Sequence, residues 1–182
     1  MNYHFPVSDI FPEVVNAIIE IPMDTHNKYE YDEKLDIIKL DRVLHSPMHY
    51  PVDYGFIPMT RALDGDHTDI MIMTNSPTFT GCFVEARPIG VLLMKDEKGI
   101  DEKILAVPTK NPQFNEINEL KDVPPHFLDE LVHFFTEYKR LETGKDCVVE
   151  GWKSGLEASK ILLEAHNRYK AEQTDGHCPP KP

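Results

Sequence analysis

Up to about residue 110 the apolar residues of this chain fall in short, largely β-branched runs, and from residue 111 they recur at threes and fours. That change of period, from two to about 3.6, places strands first and helices last. Such an order predicts an α+β domain, a small barrel or curled sheet flanked by two main helices. The strand runs are 14–21, 28–32, 37–40, 70–73, 83–94 and 104–107, with a last one at 146–152. Pro88, inside the run 83–94, predicts a bulge or an edge. Residues 49–58 carry Tyr50, Pro51, Tyr54, Gly55 and Pro58 and read as a stiff, packed loop.

Pro124-Pro125 supplies a helix start. Phe127, Leu128, Leu131, Val132, Phe134, Phe135, Tyr138 and Leu141 then make one apolar face, and Gly144 marks the stop. Ser154-Gly155-Leu156-Glu157 has the form of a capping box. It opens a second helix that runs to about Lys170, with Leu156, Ile161, Leu162 and Ala165 inward. A chain of 182 residues is long enough for one domain with a real core. Residues 1–171 read as that domain, and 172–182, with three prolines, as a disordered tail.

One stretch stands apart. Asp64, Asp66 and Asp69 fall within six residues, around Gly65, and the apolar run Ile70-Met71-Ile72-Met73 follows at once. A loop that feeds a buried strand is anchored, so its carboxylates cannot simply swing apart. Oxygen donors packed this way suit a hard divalent cation, Mg²⁺ or Ca²⁺. An acidic turn chosen for Asp and Gly turn chemistry explains the same residues. An EF-hand does not fit, because its sixth and twelfth positions would be Asp69 and Asn75. A second charged knot, 95–103, joins two strand runs through Gly99 as a hairpin tip would. Glu20 is an acid inside an apolar run, and Lys28, Glu30 and Asp32 alternate onto one face of theirs.

The balance of 19 basic against 31 acidic residues, net −12, opposes nonspecific nucleic-acid binding. Cys82, Cys147 and Cys178 are far apart, without a C-x-x-C, which fits a reducing, cytoplasmic setting. No signal peptide and no membrane span are expected from the apolar runs. There is no phosphate-binding P-loop and no nucleophile elbow. Cations, namely Lys28, Arg42, Lys103 and Lys139, are interleaved with the acids. Both signs together make sense if Mg²⁺ bridges protein carboxylates to a highly charged phosphate. Hydrolysis by a metal-bound water is the simplest chemistry left.

Taken in order, the motifs resemble the family I soluble inorganic pyrophosphatases over roughly residues 14–170. They are Glu20-Ile21-Pro22, Lys28-Tyr29-Glu30, Asp41-Arg42, Tyr50-Pro51 through Tyr54-Gly55, and the Asp64 to Asp69 segment. Arg87-Pro88-Ile89-Gly90, Lys95-Asp96-Glu97 through Asp101-Glu102-Lys103, His133 through Lys139, and Val149-Glu150-Gly151-Trp152 complete the set. The compact length is similar to the bacterial type. The resemblance implies a five-stranded, OB-like barrel with flanking helices, and Mg²⁺-dependent hydrolysis of pyrophosphate to two orthophosphates, with Mn²⁺ as another possible ion. It makes Asp64, Asp69 and Asp101 ligands of a first metal and Asp69 a ligand of a second, the water between the two being the nucleophile. Asp96 and Asp101 become ligands of substrate-borne metal, and Asp66 the general base. Lys28, Arg42, Tyr54, Tyr138 and Lys139 match phosphate-binding positions. Tyr50 and Lys103 match supporting positions, and Glu20, Glu30 and Glu97 an outer acidic shell. The same resemblance implies a homo-oligomer, a homohexamer, without nucleic-acid or membrane partners. Two other classes compete: a noncatalytic divalent-cation module, which leaves the cations unexplained, and an OB-like nucleic-acid binder, which the acidic balance opposes.

Overall fold

The computed structural model describes residues 3, 5–97 and 99–174. Its strands are β1 (Val15–Ile21), β2 (Asn27–Asp32), β3 (Ile37–Val43), β4 (Asp53–Ile57), β5 (Thr68–Ile72), β6 (Phe83–Asp96), β7 (Gly99–Pro108) and β8 (Val148–Ser154). Helix α1 is Pro125–Glu137 and α2 is Gly155–Thr174. Neighbouring strands run in the order β1-β4-β5-β7-β6-β8, and β1 also pairs with β6. That extra pairing, Val15↔Ala86 to Ile18↔Phe83, closes β1, β4, β5, β7 and β6 into a ring of five. The ring and its two helices are the expected α+β, OB-like barrel. The hairpin β2–β3 forms a sheet of its own.

Alternation along the ring strands serves two apolar clusters at once. Ile70 and Ile72 of β5, with Ile104 and Ala106 of β7, join Ala158, Ile161 and Leu162 of α2. Met71 of β5, with Leu105 and Val107 of β7, joins Leu131, Phe134 and Phe135 of α1. Both faces of these strands are covered, which is why they read as unbroken apolar runs. The bulge expected at Pro88 is present, as a register shift between Pro88 and Gly90.

Five readings of the sequence need correction. The stretch 49–58 is not all loop: Asp53–Ile57 is β4, wholly buried and paired with β1 and β5. Its prolines and Gly55 hid the strand. Gly55 stands there because a Cβ would lie 1.9 Å from the Ile18 carbonyl oxygen. Strand β7 starts at Gly99, not 104, so the charged knot is itself ladder. Helix α1 ends at Glu137, where bonds from Arg140 N–H to Glu137 O and Glu142 N–H to Lys139 O tighten the chain; Leu141 is exposed. Leu156 is exposed too, in the first turn of α2. Helix α2 continues through Thr174, three residues into the stretch read as tail, and 175–182 lie outside the described residues.

Gly55→Ala is expected to destabilise the fold by about 3 kcal/mol, the upper end for overpacking, since the obstacle is backbone. That corresponds to a fall in Tm of roughly 10 °C for a chain this size, readable by circular dichroism. Gly90→Ala, whose nearest obstacles are atoms of the Leu120 side chain at 2.5–2.8 Å, should cost less.

Candidate active site

Strand parity decides which charges meet. On β7, Asp101 and Lys103 share the face of Leu105 and Val107. On β5, Asp69 shares the face of Met71; on β6, Asp96 shares that of Leu92 and Met94. The face that is apolar under α1 therefore turns charged at one end of the barrel, where β5 and β7 begin and β6 stops.

Lys103 sits at the centre of that end. It is 2% exposed, and Asp69 is its direct partner in the parallel β5–β7 register. Its Nζ donates to Asp69 Oδ2 at 2.8 Å, Asp101 Oδ1 at 2.8 Å and the Tyr54 hydroxyl at 2.9 Å. Burial disfavours its charge, but Asp101 and Asp69 outweigh that and hold its pKa well above the ordinary lysine value. Lys139, just past the end of α1, donates to Asp96 Oδ2 at 2.8 Å and Glu97 Oε2 at 3.5 Å.

The hairpin supplies the facing wall. Lys28 pairs with Glu30 and lies 3.8 Å from Asp41. Its register partner Arg42 donates through Nε to Glu142 Oε1 at 2.9 Å and also pairs with Asp41, while its Nη2 is buried without a partner. Glu20 of β1 accepts the Tyr31 N–H at 2.7 Å, and burial, then the charge of Asp69, push its carboxyl up to about 8.

The third wall is the acidic loop. Gly65 has φ of +92°, a conformation open to glycine, and this tightens the turn. Asp66 N–H donates to Asp64 Oδ1 at 3.1 Å, and Ala62 N–H to Asp66 O at 2.8 Å. Burial raises the Asp64 pKa, and the charges of Asp66, Asp69 and Asp101 push the same way.

These walls enclose one cleft of about 590 Å³. Every expected site residue lines it except Tyr50. Tyr50 is buried behind the wall, its ring 5.5 Å from that of Tyr54 and 6.5 Å from that of Tyr138, so it backs both. The segments 64–69 and 96–101, distant in sequence, both contribute residues to this cleft. Tyr31, Arg61, His67 and Lys145 also line the cleft and were not singled out from the sequence. Arg61 and Lys145 are lone cations outside any motif, and only the fold brings them in.

Asp64, Asp69, Asp96 and Asp101 offer hard oxygen donors and no sulfur, a set suited to Mg²⁺. Among the described residues, no three acids, histidines or cysteines stand close enough to close on an ion as placed. The Lys103 ammonium pairs with Asp69 and Asp101, and that of Lys139 with Asp96. The donor chemistry fits a cation.

A closed five-stranded ring whose one end is lined by paired acids and cations defines an OB-like α+β barrel with a polar cleft. Comparison with known proteins narrows this: the family model described as inorganic pyrophosphatase matches residues 17–170. The chain belongs to the inorganic pyrophosphatase family and is an enzyme of that family. It is 52% identical over 158 residues to the inorganic pyrophosphatase of Methanosarcina acetivorans, covering 86% of this chain and 93% of that one. It is 48% identical to that of Halalkalibacterium halodurans, covering 88% and 98%. The crystal structure of inorganic pyrophosphatase from Thermus thermophilus superposes with a TM-score of 0.89 at 45% identity, covering 91% of this chain and 97% of that one.

Replacing Lys103 with Met leaves Asp69 and Asp101 without their shared cation. Stability in chelator is expected to fall by about 3 kcal/mol, as for breaking a buried ion pair. Added Mg²⁺ should raise the variant's Tm by more than it raises the wild type's, because a cation can replace the missing charge. Equal melting of the two proteins in chelator would contradict this account.

Proposed function

We propose that this chain hydrolyses inorganic pyrophosphate to two orthophosphates, dependent on Mg²⁺, by a metal-activated water. The observation that carries the reading is the meeting of Asp64, Asp69, Asp96 and Asp101 with Lys28, Arg42 and Lys139 around one cleft. Family membership supports it.

Asp64, Asp69 and Asp101 would hold the ions of the protein, and Asp96 with Asp101 those that arrive with substrate. Mn²⁺ fits the same oxygen donors. When bound, the ions supply positive charge to the anion and make a water acidic enough to react near neutral pH. Asp66, on the loop between Asp64 and Asp69, would act as the general base that accepts a proton from the attacking water. Lys28, Arg42 and Lys139 hold the phosphate oxygens and offset the charge that collects on the leaving group. Tyr54 and Tyr138 present hydroxyls beside them, braced by Tyr50. Burial raises both phenols well above the ordinary tyrosine pKa, so they remain donors. Glu20, Glu30 and Glu97 form the outer acids, and Lys103 keeps Asp69 and Asp101 apart yet aligned.

The reading extends to a homo-oligomer, by family resemblance a hexamer, working in the cytoplasm. Among the described residues no helix is long and apolar enough to cross a membrane.

The test is phosphate release from pyrophosphate by purified protein, with and without Mg²⁺. Turnover is expected with Mg²⁺ and not in chelator. Asp66→Asn should lower kcat by about 10²-fold or more, the scale of general base catalysis, with Mn²⁺ affinity nearly intact. An Asp66→Asn enzyme that turns over normally would remove the assigned base.

A further inference from the structure

The hairpin β2–β3 shares no ladder bond with the barrel, yet it carries Lys28 and Arg42, which face aspartates carried by the barrel. Something other than backbone pairing must set the width of the cleft. One side chain touches every part concerned. The Arg61 guanidinium donates from Nη1 to the Gly65 carbonyl at 2.9 Å, at the tip of the acidic loop. Nη1 and Nη2 reach the two carboxylate oxygens of Glu33, in the turn of the hairpin, both at 3.2 Å. Nε reaches Glu172 Oε2, near the end of α2, at 2.9 Å. The guanidinium also lies 5.5 Å from the centre of the Tyr169 ring.

The backbone beneath is fixed to the same helix. Arg61 N–H donates to Ala165 O at 2.9 Å, and Arg168 Nε donates to Arg61 O at 2.8 Å. His166 Nδ1 is 2.7 Å from Met59 O, and Met59 holds a positive φ of 58°. The Arg61 side chain is 13% exposed, so its planar fork works largely out of water, where two-pronged bonds to carboxylate are strong.

We propose that Arg61 is a positioning residue for the metal-binding loop, with Glu172 at the end of α2 as its outer anchor and Glu33 as its link to the hairpin. It touches neither the reacting atoms nor the ligand oxygens. It holds the Gly65 carbonyl, and hence the turn from which Asp64 and Asp66 project, at a fixed distance from the wall that bears Lys28 and Arg42. This rests on the reading of the cleft as a divalent-cation and pyrophosphate site.

The test titrates metal-free full-length protein with Mn²⁺ by calorimetry, alongside melting in chelator and steady-state kinetics on pyrophosphate. Arg61→Ala is expected to weaken Mn²⁺ binding by about tenfold, the scale for losing an outer partner of a metal site. The Mg²⁺ concentration needed for half-maximal rate and the KM should rise, while kcat at saturating Mg²⁺ and substrate changes least. Arg61→Lys should recover part of the affinity, since it restores the charge and one bond but not the fork. Glu172→Ala, at a partly exposed site, should shift Mn²⁺ affinity in the same direction by less, and it carries the test if Arg61→Ala does not fold. Lys160→Ala, which removes an exposed pair with Glu157 on α2, should leave every value unchanged. Variants that melt lower but bind Mn²⁺ as the wild type does would overturn the proposal and leave Arg61 a purely structural tie. A wild-type protein that binds no Mn²⁺ would overturn it together with the functional reading.

Discussion

A buried ammonium between two carboxylates organises this molecule. Asp69 and Asp101 belong to neighbouring strands, and the fold turns both toward the same end of one face. Two like charges about 4 Å apart repel by roughly 4 kcal/mol at an effective dielectric of about 20. Lys103, register partner of Asp69 and two residues beyond Asp101, removes that conflict without leaving the ladder. The same pleat that sends Leu105 and Val107 under α1 sends Lys103 and Asp101 to the cleft. Packing and chemistry are thus successive stretches of one strand face.

The cleft is built from parts held in two different ways. The barrel supplies Asp69, Asp96, Asp101 and Lys103 from ladder positions, which suits groups that must keep fixed separations. The acidic loop and the hairpin supply Asp64, Asp66, Lys28 and Arg42 from elements held by side chains. Tyr31 is the hairpin's apolar grip, its ring stacked on Phe56 at 4.9 Å. Arg42 is tied from behind by Glu142, buried in the turn beyond α1. Arg61 joins hairpin, loop and α2. The deepest acids thus stand on ladder strands, and the other charged groups on elements that side-chain bonds tie in place.

Much of this was legible in the chain. The period change at residue 111 gave the class of fold, and the density of acids around Gly65 pointed to one wall of the cleft. Family motifs supplied roles that spacing alone left open. Asp53–Ile57 escaped because a strand covered on both faces, carrying a close-approach glycine and flanked by Pro51 and Pro58, shows no alternation. Leu141 and Leu156 were placed inward because periodicity continues past the point where a helix stops touching the core. Arg61 was invisible for a different reason. A lone arginine acquires meaning only when residues 28 and 111 positions away are folded against it.

Strand β6 serves two neighbours in succession. Its first half meets β1 to close the ring, and its second half takes β8 on the same edge, with the bend at Pro88–Gly90 between them. Asp96 lies at the far end of that second half. Adding or deleting one residue beyond the bend would invert the inside–outside order of everything after it. Asp96 would then point away from the cleft, and its neighbours would face in. The loop at 74–82 is held as well, by Ile19 N–H donating to Cys82 O at 2.9 Å and Gly81 N–H to Ile19 O at 2.7 Å. Natural variation in length should therefore be absent within this strand.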